Sequence, residues 1–314
     1  HMNELPSPFK ALQMGNVFRA DRPQKGRYRQ FMQCDIDIFG EDGTLAETEL
    51  ILAITTVLGR LGFKGFQVRI NDRRILSAMA MYAGYSQENI NNVFITLDKM
   101  DKIGMDGVRL ELNALDSEEK SEKYLSLFDC PGTTSNEVLY LKDKLEGFIE
   151  DGVLENLSEI IETVTEVKES DFELEFDPTL VRGMGYYTGT IFEVSMEGFS
   201  GSVAGGGRYD KMIGKFTGND TPACGFSIGF ERIITILSDA GFKIPDESKK
   251  IAVLYEKNVD ADTLKAILKE AASLREAGNT VLVSKMNKNK KFQKEGLLQQ
   301  GFSDFKEYYK EALK

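Results

Sequence analysis

From Phe31 to Ile38 the chain reads Phe-Met-Gln-Cys-Asp-Ile-Asp-Ile, the alternation of a strand with one face buried. Over 44–61 the period changes to that of a helix, with Leu50, Ile51, Ile54, Val57, Leu58 and Leu61 on one side. A strand over 65–70 and a helix near 73–82 follow. From 90 to 167 the pattern is helical and polar, broken by Pro131-Gly132, which predicts an inserted helical subdomain. Strand character returns at 172–176, 190–195, 201–205 and 224–228, with short glycine-rich turns, and leads into a helix over 230–239. GFKIPDESKK reads as a linker, and IAVLYE, TLKAILKEAASLREAG and TVLVS then give a βαβ rhythm. The pattern predicts an α+β protein: an antiparallel sheet flanked by helices, with a smaller C-terminal α/β domain. The expected divisions are a first core part at 1–90, a helical insertion at 91–167, a second core part at 168–242, a linker at 243–249 and the α/β domain at 250–314. That last domain reads as shortened, with no obvious final pair of strands after Ser284.

Composition narrows the chemistry. The 314 residues carry a formal net charge of -11, so RNA binding would need local basic patches. No apolar run reaches the ~18–20 residues of a membrane span, and no signal peptide opens the chain. Three cysteines, far apart and without a CxxC pair, fit a reduced cytoplasmic protein. His1-Met2 reads as a cloning remnant before a start methionine, and with His1 set aside no histidine remains. That excludes Ser-His-Asp and Cys-His catalysis and His-ligated zinc. The chemistry then falls to Arg, Lys, Asp, Glu, Gln, Tyr and backbone amides, or to a metal held by carboxylates.

Three stretches carry candidate chemistry. FRADRPQKGRYRQFMQCDIDIF places Arg19, Arg22, Lys25, Arg27 and Arg29 on a turn before the alternating strand. The turn is either a solvated hairpin or an anion site. If Ile36 and Ile38 face a core, then Arg29, Phe31, Gln33, Asp35 and Asp37 share the other face, offering cation, ring and carboxylates to a ligand. In LVRGMGYYTGTIFEV, Arg182 is either a buried structural ion or a ligand group, and Tyr186-Tyr187 either ordinary strand residues or pocket walls. GSVAGGGRYDKM lets backbone or ligand approach closely at Gly205-Gly206-Gly207, and GFERI puts Arg232 in the first turn of a helix, where a phosphate fits. No Walker loop and no dinucleotide fingerprint is present. Together these features point to a nucleotide site that neutralises a triphosphate without a P-loop.

These stretches resemble, in order and spacing, motif 2, the two histidine-specific motifs and motif 3 of the histidyl-tRNA synthetase family of class II synthetases. The resemblance covers about residues 6–240 firmly and 250–283 fairly. It implies a ligase of protein biosynthesis that joins histidine to ATP, with Mg2+, and then charges tRNA(His). On that basis Arg19 holds the α-phosphate, Arg27 helps with the phosphates, and Asp21 lies near the adenine amino group. Phe31 stacks on adenine with Arg232 beyond it, and Arg182 is the catalytic arginine. Gln33, Asp37, Arg182, Tyr186, Tyr187, Gly206 and Tyr209 line the histidine pocket. The metal ligands stay unidentified. Lys285, Lys288, Lys290 and Lys291, in a domain resembling the anticodon-binding domain, are either a solvated loop or a tRNA contact, and the resemblance favours tRNA.

The chain opens almost at motif 2, so a truncated catalytic core is expected. It would lack the motif 1 elements that build the family's homodimer and would leave apolar surface and a sheet edge uncovered. Two further readings compete with the ligase. One is a non-catalytic histidine-binding regulatory subunit resembling that of ATP phosphoribosyltransferase; the other is a chain that binds only ATP. The phosphate-handling arginines separate the ligase from the regulatory subunit, and the missing strand of the histidine pocket separates it from the ATP-only chain.

Overall fold

The computed structural model describes every residue except 1–4, 21, 24–27, 131–133, 184, 200, 243–247 and 311–314. Two compact units form, residues 1–240 and 241–314.

The first unit is built on a sheet of seven strands: β1 (Phe9–Phe18), β2 (Gln30–Phe39), β3 (Phe66–Asp72), β4 (Phe172–Phe176), β5 (Thr190–Ser195), β6 (Ser202–Arg208) and β7 (Ala223–Gly229). They run in the order β1-β2-β7-β6-β5-β3-β4. Only β3 and β4 pair in parallel. Helix α1 (Leu45–Arg60) buries Leu50, Ile51, Ile54 and Leu58, four of the residues its spacing aligned, while Val57 stays 43% exposed. Helix α2 (Arg73–Ala83) starts where Asp72 accepts the Arg74 N–H and stops at Gly84, whose φ of 94° ends the helical path.

The stretch from 90 to 167 is helical, as α3 (Ile90–Leu97), α4 (Met100–Leu115), α5 (Glu118–Leu125), α6 (Thr134–Lys144) and α7 (Val153–Val167). Its apolar residues, among them Phe94, Leu112, Tyr124, Leu141 and Leu157, belong to one contiguous cluster with Ile70, Phe192 and Phe226 of the sheet. These helices therefore share the core of the sheet. Helices α8 (Asp210–Thr217) and α9 (Phe230–Asp239) follow β6 and β7.

Strand period sorts the sheet into two faces. One row runs Leu12, Ile36, Phe226, Gly206, Phe192, Ile70 and packs on the core from Ile36 onward. The neighbouring row runs Gln13, Asp35, Ser227, Gly205, Glu193, Arg69, Glu175 on the opposite face. Strand β1 is an edge, and on it Leu12, Met14 and Phe18 are 67%, 57% and 74% exposed.

The second unit is a parallel sheet in the order β10-β8-β9, from β8 (Lys250–Tyr255), β9 (Thr280–Lys285) and β10 (Asp304–Tyr308). Helix α10 (Ala261–Glu276) begins at Asp260, whose carboxylate accepts the N–H groups of Asp262 and Thr263, and α11 (Lys290–Gln299) links β9 to β10. Where the sequence showed no obvious strands after Ser284, one does form. In DFKEY (β10) charged and aromatic residues are mixed without clean alternation, and all five are only half-buried. Among the described residues no helix is long and apolar enough to cross a membrane.

Candidate active site

The polar face of the sheet carries a cleft with two connected parts. The first, about 260 Å³, is bounded by Arg19, Phe31, Gln33, Arg182, Glu231 and Arg232. The second, about 420 Å³, is bounded by Gln13, Gln33, Asp35, Asp37, Tyr209 and Met212. Gln33, Tyr186, Tyr187, Gly205 and Ser227 border both. Of the residues expected to handle nucleotide, Arg19, Phe31 and Arg232 border the first part; of those expected to handle histidine, Gln33, Asp37, Tyr186, Tyr187 and Tyr209 border the second, while Arg182 borders the first. Asp21 and Arg27 lie outside the described residues.

The floor is sheet backbone. A Cβ on Gly205 would stand 2.5 Å from Cζ of Arg182, so the guanidinium lies on the bare strand. A Cβ on Gly225 would stand 2.0 Å from Oδ1 of Asp37. Arg182 itself sits on an irregular stretch between β4 and β5, with Gly183 at φ +54°. Its Nη1 donates to Glu193 and, at 3.3 Å, to Oγ of Ser202. Arg232, in the first turn of α9, donates to the carbonyl of Ser202. Its neighbour Glu231 accepts the Met32 N–H at 2.6 Å, tying α9 to β2. The guanidinium of Arg19 lies over the Phe31 ring, 4.2 Å from its centroid, and Nε donates to the Tyr28 carbonyl at 2.8 Å.

In the second part Tyr209 donates its hydroxyl to Oδ1 of Asp37. Burial pushes the Asp37 carboxyl above the usual range, the Tyr209 hydrogen bond opposes this, and Asp35 adds to it. The Tyr209 phenol is pushed up by burial and by its bond to Asp37, and the Tyr187 phenol mainly by burial. Oδ1 of Asp35 is buried without a hydrogen-bond partner among the described residues. Tyr186 and Tyr187 pack ring to ring at 4.3 Å.

Gly206 does not reach the cleft. It occupies the core row between Phe226 and Phe192, whose rings stack across it at 4.8 Å. A Cβ there would meet the Gly225 carbonyl oxygen at 2.0 Å. Strand period gives the cleft to its neighbour Gly205, and the reading of Gly206 as a histidine contact is corrected on that ground. Arg208 also faces the core. Its Nε and Nη2 pair with Glu47 at 2.7 Å each, and it donates to the carbonyls of Glu41 and Gly43, clamping β6 to the start of α1. Sequence reasoning missed Glu193, although a glutamate amid Ile, Phe and Val in TIFEV was a visible signal.

The lysines of the second unit divide. Lys285, Lys288 and Lys291 are exposed. Lys290 is bonded to Glu307 at 2.7 Å and to the Tyr309 hydroxyl at 2.6 Å, and its amine is pushed up to about 12, chiefly by Glu307. Lys294 pairs with the same carboxylate.

Among the described residues no cluster of three His, Cys, Asp or Glu could cage a metal. Among the described residues Glu231 is the one carboxylate bordering the nucleotide part, with Oε1 taken by the Met32 N–H. This donor set suits an ion carried largely by phosphates and water, the habit of Mg2+.

A family model described as histidyl-tRNA synthetase matches residues 1–233. The histidine–tRNA ligase of Leifsonia xyli subsp. xyli (strain CTCB07) is 41% identical, over 97% of this chain and 70% of that protein. Other matching ligases are covered over 51–64% of their length. A crystal structure of histidyl-tRNA synthetase from Nostoc sp. PCC 7120 superposes with a TM-score of 0.78 at 28% identity, over 96% of this chain and 70% of that one. An ATP phosphoribosyltransferase regulatory subunit/histidyl-tRNA synthetase from Bacillus halodurans C shares the fold, with a TM-score of 0.76 at 20% identity over 99% of this chain and 76% of that one. The chain belongs to the histidyl-tRNA synthetase family.

Proposed function

We propose that this chain activates histidine with ATP, releasing pyrophosphate, and transfers the histidyl group to tRNA(His). The observation that carries the proposal is the two-part cleft, in which a cationic, aromatic cavity and a carboxylate–tyrosine cavity meet at Gln33, Tyr186 and Tyr187. ATP enters the first part, where adenine displaces the Arg19 guanidinium from Phe31 and frees that arginine for the α-phosphate. Arg232 meets the γ-phosphate. The histidine carboxylate then lies beside the α-phosphate for in-line attack, and Arg182 stabilises the charge that develops there. Such a step depends on positioning and charge neutralisation more than on acid–base chemistry, so a chain whose one histidine is the terminal His1 is equipped for it. Asp37, oriented by Tyr209, accepts the imidazole N–H; an analogue without that donor leaves the half-buried carboxylate with the Tyr209 hydroxyl alone. Glu231 is the carboxylate beside the nucleotide cavity that would face Mg2+ bound to ATP, and such an ion would supply charge neutralisation to the phosphates. Lys285, Lys288 and Lys291 offer an exposed cationic contact to tRNA.

A histidine-sensing subunit is the competing reading, and the shared fold alone supports it. Arginines aimed at a triphosphate have no task in a sensor. ATP–pyrophosphate exchange with histidine, and with the other nineteen amino acids as controls, tests the proposal. Exchange with histidine alone is expected. Histidine binding without exchange, in a chain that also ignores ATP, would overturn it in favour of the sensor.

A further inference from the structure

We infer that Glu193, held from behind by Arg69 and Asp177, is the positioning residue for Arg182 in adenylation; the inference rests on the cleft assignment proposed above. Arg182 stands on a stretch without strand pairing. Its place must therefore come from side-chain partners and from the floor at Gly205. Glu193 stands on β5 beside Gly205 in the cleft-face row, with its side chain 13% exposed. One carboxylate oxygen takes Nη1 of Arg182, and the other takes Nη2 of Arg69 at 2.6 Å. Nη1 of Arg69 continues to Asp177 at 3.1 Å, and Asp177 is fixed by the Thr179 N–H at 2.8 Å and its hydroxyl at 2.6 Å. The relay thus ends on backbone.

Charge makes the same point. A carboxylate this buried needs one cationic partner, and Arg69, directly across the strand pair, already supplies it. The second cation is the one that faces the ligand. Glu193 divides its charge between two guanidinium groups, with Asp177 as the further partner of Arg69, and so holds Arg182 in place as a preorganised donor to a phosphate requires. Among the described residues every hydrogen bond of Arg182 runs through Nη1, leaving Nη2 and Nε for the ligand.

The test uses the full chain and calorimetric binding of two probes: histidine, and a histidyl-adenosine whose sulfamoyl linker stands in for the phosphate. Wild type is compared with Arg182→Ala, Glu193→Gln, the double variant and Arg69→Gln, and thermal denaturation reports folding. Glu193→Gln should weaken the sulfamoyl probe by about tenfold or more, close to the loss in Arg182→Ala. The double variant should lose no more than either single one. Histidine affinity should stay within about twofold of wild type, and in pyrophosphate exchange kcat should fall while KM for histidine holds. Arg69→Gln should lose affinity in the same direction by less, and it answers the question if Glu193→Gln does not fold, because Arg69 reaches Arg182 only through Glu193. Unchanged probe affinity in Glu193→Gln or in folded Arg69→Gln, or losses that multiply in the double variant, would overturn the inference. Equal weakening of histidine would do the same by making Glu193 a substrate contact. A wild type that binds neither probe overturns the cleft assignment itself, and the inference with it.

Discussion

Adding one methyl group to Gly205 separates catalysis from stability. The new Cβ would lie 2.5 Å from Cζ of Arg182 and 2.7 and 2.8 Å from its terminal nitrogens. Carbon contacts settle near ~3.5–4.0 Å, so the guanidinium must withdraw by about 1 Å and leave Glu193 and Ser202. A displacement of that size at a reacting group costs roughly 10²-fold in rate, or about 2.7 kcal/mol of barrier. The strand itself is spared, because the obstructed atoms end a side chain with room on its cleft side. Gly206→Ala should do the reverse. There the methyl meets the Gly225 carbonyl oxygen at 2.0 Å, the Phe192 ring at 2.7 Å and Cα of Phe226 at 2.8 Å, and a paired strand cannot retreat. Overpacking of this kind costs about 1–3 kcal/mol or more, each kcal/mol lowering Tm by about 2–4 °C in a unit of this size. Pyrophosphate-exchange kcat and thermal denaturation of both variants form the assay. Gly205→Ala with wild-type kcat, or with a Tm loss matching that of Gly206→Ala, would refute the reasoning.

Asp37 has a folded-state pKa raised by burial first, with Asp35 adding and Tyr209 opposing, so its contribution to stability is present below the unfolded value of about 3.9 and lost as pH rises through the folded one. Asp37→Asn should therefore hold or raise Tm at pH 7 while weakening histidine binding; a clear fall in Tm there would contradict this. Arg208→Met strips the partner from Glu47, which is 2% exposed, and should cost about 3–5 kcal/mol in urea unfolding; a change under 1 kcal/mol would remove the clamp from the account. Replacing Lys285, Lys288 and Lys291 together by alanine should flatten the log–log salt dependence of tRNA binding by about 2–3. Lys290→Ala alone should leave that slope unchanged, since its amine already serves Glu307; equal effects would show that the division of the cluster is wrong.

Much of the sheet was legible because strand period is a local property. The isoleucines at 36 and 38 place Gln33, Asp35 and Asp37 on the other face, and the cleft borders on all three. The same rule was available at Gly205-Gly206-Gly207: with Tyr209 turned to the cleft, period two assigns Gly205 and Gly207 to that side and Gly206 to the core. The Glu193–Arg69–Asp177 relay was harder to see, since it joins β3, β5 and the residue just past β4, and the helical stretch separates Arg69 from the other two, so its members are neighbours only once the sheet has assembled. Strand β10 escaped notice because a half-buried strand of mixed charged and aromatic residues has no apolar side to declare it. The Arg19–Phe31 stack follows from which contacts a side chain makes without nucleotide, and no periodicity encodes that.

The glycine floor of the cleft has an entropic consequence. Most binding sites are walled by side chains that lose rotamers when a ligand arrives, at about 0.5–1.5 kcal/mol for each long one. At Gly205, Gly225 and Gly229 the contacting surface is hydrogen-bonded backbone that was immobilised when the protein folded. The Arg182 guanidinium rests on it at Gly205 and the Asp37 carboxylate at Gly225, so these ligand-facing groups are seated before a ligand arrives, and the ordering cost of recognition falls mainly on the other side chains around the rim.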